Sequence, residues 1–351
     1  MNGIKQSLGP VFRAMLPAGC VLLGLAHLMP AGVMLGQSKT GTTIGQFTLI
    51  EPSARTAAMG GAGGALAEEA FAGYYNPGAI GAFEHSDIQF SYNSWFAGIS
   101  LNYAAGVFHL GDLGTATLAL TSLSSGDIPV TTVEQPLGTG EHYSVDDLLL
   151  GIGYGFRITD RFSCGLQVNY INERIWHSST TTFGFNVGTL YQLSPDGLRI
   201  GASLVNFGFK SHFDGTDLRV RYDLDPTRYG DNSSLPSALL TDDFSLPFVF
   251  RVSLGYPLKI DGSNTVTFAV DALHPSDNSE CVNVGFEWQF MSVLSLRTGY
   301  NGLFQTDNQY GLTAGGGVAW DGLGYLLHVD YGWTRHKYLG SIQRVTLGVG
   351  L

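Results

Sequence analysis

The sequence has little charge, and this shortage excludes several classes of protein. Asp, Glu, Lys and Arg make up 13% of the 351 residues, about half of the ~25% that is usual in soluble proteins. The formal net charge is −11, which argues against nucleic acid as a partner, because phosphate binding needs a surface rich in Lys and Arg. Only one apolar run, at the N-terminus, reaches the roughly 18 residues of a membrane-spanning helix, so the chain is not a multi-helix membrane protein.

Cysteine is also scarce, and the sequence shows no residue pattern typical of a catalytic or metal-binding site. The chain has three cysteines, too few for a disulfide framework; Cys164 and Cys281 lie in strand-like segments and are expected to be unpaired. The nine histidines are scattered, without the spacing of a zinc site. GGAGG at 60–64 follows no strand and lacks the Lys-Ser/Thr of a phosphate-binding loop. The sequence therefore predicts no enzyme, no cofactor and no metal site.

The uncharged N-terminal run has the three parts of a secretory signal peptide. Lys5 and Arg13 precede the stretch AMLPAGCVLLGLAHLMPAGVMLG, and the polar QSKTGTT follows it. This order is typical of Sec-exported proteins, so residues 1–36 are predicted to be a signal peptide, with a retained transmembrane anchor as the alternative. Pro17 stands where a lipoprotein signal needs a small aliphatic residue, so lipidation of Cys20 is not expected.

Most of the remaining sequence alternates between apolar residues and polar or small ones. In FVFRVSLGYPL at 248–258, Phe250 and Val252 alternate with Arg251 and Ser253, which predicts a strand with one apolar and one polar face. Most segments of this kind have the roughly 9–11 residues that a tilted strand needs to cross a bilayer. Fourteen are found, at about 87–95, 97–109, 113–123, 145–157, 161–176, 180–193, 197–207, 245–258, 263–272, 281–291, 293–303, 309–320, 323–333 and 341–351.

Loop lengths and tryptophans indicate that the apolar faces meet lipid. Connections after even-numbered strands are tight, such as ITDR and SPDG, whereas most connections after odd-numbered strands are longer, above all 124–144 and 208–244. Outer-membrane barrels have this asymmetry, with short periplasmic turns and longer external loops. The tryptophans fall near strand ends, where the aromatic girdles of such barrels lie; they are Trp95, Trp176, Trp288, Trp320 and Trp333.

The polar faces carry charged residues, which either line a water-filled lumen or pair with a plug inside it. A fourteen-stranded lumen is wider than that of an eight-stranded barrel, whose interior side chains can fill it, so we expect a plug. The segment 37–86 is the candidate, because it precedes the first strand, lacks alternation and is rich in Ala and Gly. Unpaired buried ions are costly, and the predicted charge network of plug and wall consists of Arg55, Glu68, Glu69, Arg251, Asp271, Glu287 and Arg297.

A series of motifs resembles the PorV/PorQ family. SARTAAMGGAGGALAEEAFAGYYNPGAIGAF is similar to the family's N-terminal signature, in which an S/A-A-R segment leads through M-G-G-A to Y-N-P-A. SSGDIPVT, RITDRFSCGLQVNYI, LVNFG, LPFVFRVSLGY, VGFEWQF, LSLRTGY and YGLTAGGGV follow in the family's order, so that the likeness covers residues 44–351. Gly78 stands where the family usually has Ala. The corresponding hatch motif comprises Arg55, Met59, Gly60, Gly61, Asn76, Pro77 and Gly78.

The resemblance implies an all-β fold, a FadL-like fourteen-stranded antiparallel transmembrane barrel at 87–351 with an N-terminal hatch in the lumen. It implies a place in the outer membrane of a Gram-negative-type bacterium, in contact with lipid. It also implies a part in type IX secretion, with secretion-machinery proteins and secreted cargo bearing C-terminal signal domains as partners of the external loops. The alternative is a FadL-like transporter of small hydrophobic molecules, which should have an apolar pocket running from the loops to the hatch.

Overall fold

The computed structural model of the protein describes residues 41–66, 69–194, 197–223, 225, 227, 234–322 and 324–351. The predicted signal peptide at 1–36 and the predicted network residue Glu68 lie outside the described residues. The main sheet is built from fourteen long strands, named here β1 to β14 in chain order. They are Asp87–Ser94, Ser100–His109, Thr115–Ser124, Val145–Thr159, Phe162–Ile175, Ser178–Gln192, Arg199–Gly208, Val249–Lys259, Asn264–Pro275, Cys281–Phe290, Leu294–Leu303, Leu312–Gly322, Tyr325–His336 and Gly340–Gly350.

Each strand pairs antiparallel with its neighbours in the chain, and the sheet closes on itself. β1 pairs with β14 in a register that joins Asp87 to Gly350 and Ser94 to Gln343. The long connection between β7 and β8 does not interrupt the wall, since Val249 lies opposite Val205. Closure satisfies the backbone hydrogen bonds of every strand, which a sheet in hydrocarbon requires. The fourteen-stranded antiparallel barrel predicted from alternation is confirmed, with strand ends within a few residues of those expected.

The apolar face of the wall points outward. On β8, Phe250 and Val252 are 45% and 41% exposed, whereas Arg251 and Ser253 are 5% and 1% exposed. A soluble barrel would have the opposite arrangement, with apolar residues inside and polar residues in water. The outward apolar face therefore contacts lipid, and the inward face is polar.

The two ends of the barrel differ in their connections. Tight turns such as 160–161 and 260–263 join even-numbered strands to the next strand. At the other end, 125–144 contains a small hairpin of Ile128–Pro129 with His142–Tyr143. The connection 209–248 contains a hairpin of Arg219–Tyr222 with Leu235–Ala238. The remaining connections on this side are much shorter, for example 276–280, 304–311 and 337–339, so the asymmetry depends mainly on these two loops, which mark the external end.

The described residues before β1, namely 41–66 and 69–86, contact the inward face of the wall and are called the inner segment here. They contain two short α-helices, Ala54–Ala58 and Ala72–Tyr75, and the 3₁₀ helices Gln46–Leu49 and Pro77–Ala82. No helix in the described part of the chain is long and apolar enough to span a membrane. The role of this segment as a hatch and the domain boundaries at 37–86 stay predictions.

Glycines on the wall allow the inner segment to approach its backbone closely. A Cβ atom on Gly285 would lie 2.5 Å from the Met59 carbonyl oxygen, and one on Gly299 would lie 2.4 Å from the Gly60 nitrogen. On the opposite wall, a Cβ on Gly165 would lie 2.0 Å from the Pro77 carbonyl oxygen. These contacts are too short for any side chain, so the abundant glycine of the strands serves the contact with the inner segment.

Candidate functional site

A cavity of about 560 Å³ lies between the external strand ends and the inner segment. Inner-segment residues form one side of it, and inward-facing wall residues form the other. The two longest external loops contribute little; Asp277 and Gln305 come from the shorter connections instead. The lining residues used below are Phe47, Ile50, Glu51, Trp95, Leu123, Asp147, Glu173, Arg251, Asp277, Cys281 and Arg344.

One wall of the cavity is apolar. Phe47 and Leu123, which are 3% and 9% exposed, belong to a buried apolar cluster with Leu149 and Ile171. Ile50 packs against this cluster from the inner segment. The cavity is thus apolar on one side and polar on the other, and it is not built from the long external loops that the expected transporter pocket would include.

Trp95 lies in this cavity and not in the aromatic girdle predicted for it. The backbone leaves β1 at this point and enters a 3₁₀ turn at Phe96–Gly98. The indole of Trp95 stands 5.9 Å from the Arg344 guanidinium. Strand alternation does not extend past the strand end, so the direction of this side chain could not be predicted from it.

The two arginines of the cavity are already engaged by protein groups. Arg251 donates to Asp271 over 3.2 Å, and its guanidinium lies 5.3 Å from the centre of the Tyr75 ring. Arg344 donates to the carbonyl of Glu51 and to Thr334 Oγ1, each over 3.0 Å. Both guanidinium groups therefore have partners within the protein, the Asp271 carboxylate for Arg251 and two uncharged oxygens for Arg344.

Beneath the cavity, the predicted network forms a chain of buried ion pairs. Arg55 donates to both carboxylate oxygens of Glu287, over 3.0 and 2.6 Å. Arg297 donates to the same Glu287 carboxylate over 2.6 Å and to Asp330. His328 Nδ1 lies 3.0 Å from Asp330. These contacts tie the inner segment to strands β10, β11 and β13.

The remaining predicted network residues divide between this chain and a second cluster. Glu69 lies 3.7 Å from Arg55 Nε; burial raises the pKa of its carboxyl, and Arg55 opposes that effect. Arg251 and Asp271 form a separate pair, in which Asp271 also accepts hydrogen bonds of 3.0 Å from the backbone N–H groups of Gly63 and Gly64. The predicted residues thus form two clusters in place of one network.

The Met59–Gly61 part of the predicted hatch motif is a tight turn against β10 and β11. Gly60 and Gly61 have φ values of 70° and 81°, which L-residues adopt at a cost. A Cβ on Gly60 would also lie 2.6 Å from the Val284 carbonyl oxygen. The Gly60 N–H donates to Thr313 Oγ1 over 3.0 Å. Glycine is required here by both conformation and space.

The Asn76-Pro77-Gly78 part of the motif is a corner that touches β6. Asn76 accepts a hydrogen bond from the Gly78 N–H over 2.9 Å and donates to the carbonyls of Gly64 and Thr189 over 2.8 and 3.0 Å. Pro77 begins the 3₁₀ helix, where its missing N–H is not needed. A Cβ on Gly78 would lie 2.5 Å from the Thr189 backbone, which explains why Ala does not stand at this position.

A second cavity, of about 600 Å³, lies at the opposite end of the barrel. It is lined by Arg157, Arg161 and Arg199 together with the acidic Glu84 and Asp160. Arg157 pairs with Glu84 over 3.1 Å. Because it lacks the apolar wall of the external cavity, it is the weaker candidate for binding a hydrophobic molecule.

Comparison with known proteins identifies the fold. No protein-family model and no curated protein matches the sequence. Among solved structures, the toluene transporter TbuX of Ralstonia pickettii is similar, with 13% identity, a TM-score of 0.54 and coverage of 87% of this chain and 98% of that one. The toluene transporter TodX of Pseudomonas putida gives 14% identity, a TM-score of 0.54 and coverage of 86% and 98%. A FadL homologue of Pseudomonas aeruginosa gives 11% identity, a TM-score of 0.51 and coverage of 86% of this chain and 98% of that one.

The chain has the FadL-like barrel fold. With the lipid-facing apolar wall, this fold places the protein in the outer membrane. The resemblance to PorV/PorQ proteins gains no support from these comparisons beyond the FadL-like fold. Sequence reasoning missed Asp147 and Glu173 in the cavity lining, although both lie on the inward side of the alternation in β4 and β5.

Proposed function

We propose that the protein transports small hydrophobic molecules across the outer membrane and is not an enzyme. The observation that carries the proposal is the cavity of about 560 Å³ with an apolar wall between the external strand ends and the inner segment. Small-molecule sites commonly have volumes of about 300–1,000 Å³. The FadL-like fold and the structural neighbours, which include toluene transporters, support this function over a part in type IX secretion.

In this proposal the ligand enters from outside and leaves the water at the apolar wall formed by Phe47, Ile50 and Leu123. Passage beyond the cavity requires the inner segment to shift, because wall and segment touch at Gly285 and Gly299. The Arg55–Glu287 pair and its neighbours hold the segment in the described position. The function thus needs a barrel that stays closed while its inner segment moves.

An uptake assay tests this function in cells that produce a variant whose cavity is filled by a larger side chain. Leu123→Trp places a larger side chain in the cavity, and we expect uptake of labelled toluene to fall at least tenfold. Leu120→Trp is the matched control, since Leu120 lies on the same strand but is 42% exposed on the lipid face. Unchanged uptake in the Leu123→Trp variant and in a deletion strain would overturn the proposal.

A second candidate function, docking of partner proteins in type IX secretion as in PorV/PorQ proteins, has one observation in its favour. Large apolar side chains are fully or almost fully exposed in the external connections: Val133 at 95%, Leu137 at 101%, Leu240 at 93% and Phe304 at 85%. Exposed apolar groups at one end of a protein mark interaction surfaces when they form a patch. Tyr222, in the long connection between β7 and β8, is also exposed.

The deletion strain separates the two functions. Loss of toluene uptake with normal surface delivery of proteins that carry the C-terminal signal domain supports transport. The reverse result supports docking and contradicts the transport proposal. Leu137→Ser with Leu240→Ser provides a finer test, because these changes leave the cavity untouched and should reduce only docking.

A further inference from the structure

Two carboxylates stand side by side in the external cavity. Asp147 on β4 lies directly opposite Glu173 on β5 in the strand register, and both line the cavity. The next inward pair, Leu149 and Ile171, is 6% and 1% exposed, so the two acidic side chains lie on the same inward face as this apolar pair. Like charges at directly opposed positions of a sheet repel each other and destabilise the pair.

No cation of the described chain neutralises this pair. Asp147 is 9% exposed, and within the described residues it has neither an ion pair nor a hydrogen-bonding partner for its carboxylate. Glu173 accepts one hydrogen bond, from the backbone N–H of Gly45. The outward neighbour Asp146 differs, since it pairs with Arg174 over 3.0 Å. A buried carboxylate without a partner is costly, and this one faces an open cavity.

The other two carboxylates around the cavity accept hydrogen bonds from neutral protein donors. Glu51 accepts a hydrogen bond of 2.6 Å from the Tyr75 hydroxyl, and Asp277 accepts from Thr43 and Gln46 over 3.1 and 2.7 Å. The arginines are engaged as described above. The Asp147–Glu173 pair is therefore where the cavity offers negative charge to a ligand.

The surroundings favour an organic cation over a metal ion. Within the described residues, no group of three or more His, Cys, Asp or Glu side chains could hold a metal. The apolar cluster with Phe47 and Leu123 borders the pair directly, because Leu123 lies opposite Asp147 on the adjacent strand. Two carboxylates beside an apolar wall suit an ammonium group attached to a hydrocarbon body.

We propose that Asp147 and Glu173 bind the ammonium group of a small hydrophobic amine whose apolar part lies against Phe47, Ile50 and Leu123. This inference rests on the proposed transport function and gives its substrate class. The ammonium group supplies the positive charge that the pair lacks and donates hydrogen bonds to both carboxylates. The apolar wall binds the rest of the molecule.

Three ligands of one shape test the proposal. Calorimetric titration of the purified full-length protein in detergent is carried out with 3-phenylpropylamine, propylbenzene and 3-phenylpropanoate. We expect the amine to bind at least tenfold more tightly than the other two. Asp147→Asn and Glu173→Gln should each weaken amine binding at least tenfold and leave propylbenzene unchanged. Asp146→Asn, which alters the outward neighbour, is the matched control and should change none of the three affinities.

The possible failures are distinguishable. Absence of binding by all three ligands overturns the transport proposal together with this one. Equal binding of amine and propylbenzene overturns the ammonium site alone, as does unchanged amine binding in both variants. Tight binding of Ca²⁺ that excludes the amine would also overturn it, in favour of a metal site. Should Asp147→Asn fail to give the compact gel band of a folded barrel, Glu173→Gln and the wild-type preference between amine and propanoate decide the question.

Discussion

Individual residues decide how the inner segment and the wall meet. At Gly285, Gly299 and Gly78 the opposing backbone is so close that a Cβ atom would overlap it. At Glu287, a fully buried carboxylate receives two arginines, one from the inner segment and one from the wall. Small size and paired charge are thus the two properties that hold the segment in place.

The contact at Gly78 predicts a loss of stability on adding one methyl group. Gly78→Ala places a Cβ 2.5 Å from the Thr189 backbone, and overpacking of this kind costs about 1–3 kcal/mol. Urea unfolding of the barrel in lipid vesicles measures the change. Gly262→Ala is the control, because nothing lies within 4 Å of its Cβ position. Equal stability of the two variants would contradict the described contact.

The buried carboxylates Glu287 and Glu69 predict opposite effects of the same substitution. Glu287→Gln leaves Arg55 and Arg297 without their shared partner, and breaking a buried ion pair costs about 3–5 kcal/mol. Glu69→Gln should stabilise the protein at neutral pH, because burial disfavours the ionised carboxylate and its ion pair with Arg55 spans 3.7 Å. Vesicle unfolding measures both free energies. A destabilised Glu69→Gln variant would show that the ionised carboxylate is held more strongly than its contacts indicate.

The advantage of Glu69→Gln should depend on pH. Burial raises the pKa of Glu69 above its ordinary 4.5, so the folded chain binds the proton more tightly than the unfolded chain. Wild-type stability therefore increases as pH falls from 7 toward 4.5 and is lost as pH rises through the raised pKa. Glutamine does not titrate, so the difference between variant and wild type should shrink on acidification. A difference that grows at low pH would refute the assignment.

At the scale of elements, each strand has a lipid face and a lumen face. The alternation seen in β8 recurs in β1, where Ile88, Phe90 and Tyr92 are 46–47% exposed and the residues between them are buried. Exposure of regularly spaced apolar side chains is stable only where no water reaches them. The energetic cost of a charge should therefore depend on its depth along the lipid face.

A pair of substitutions on β8 tests this depth dependence. Val252→Arg introduces a charge nearer the middle of the bilayer and should cost about 2–4 kcal/mol, whereas Leu258→Arg, close to the strand end, should cost about 0–1 kcal/mol. Both side chains are about 40% exposed. Vesicle unfolding gives the two values. Equal and small costs would show that the outward face is in water.

The strands could be predicted from the sequence because alternation is a local property of consecutive residues. The ion-pair partners inside the lumen could not be predicted in this way. Arg55 and Glu287 meet only because of the register of distant strands and the path of the inner segment. The lumen charges were predicted as one group, but the strand order separates the Arg251–Asp271 pair from the Arg55 chain. The pairing of Asp147 with Glu173 follows from register in the same way.

At the scale of the whole molecule, the barrel is a closed wall around a segment that contacts it by glycine and by charge, with a cavity at the external end. Its closure and its polar lumen follow from the membrane environment. The shape and lining of the cavity could not be predicted, because they depend on the path of the inner segment and on short connections such as 276–280. The proposed transport function rests on that cavity and not on the barrel alone.

Thiol labelling tests most directly whether the cavity binds hydrophobic molecules from outside. Cys281 lines the cavity, whereas Cys164 lies on the outward side of the alternation in β5. In intact cells, a membrane-impermeant methanethiosulfonate should modify Cys281, and saturating propylbenzene should slow the reaction at least tenfold. Cys281→Ser should abolish labelling, and Cys164→Ser should leave it unchanged. Labelling of Cys281 at the same rate with and without propylbenzene would contradict the account.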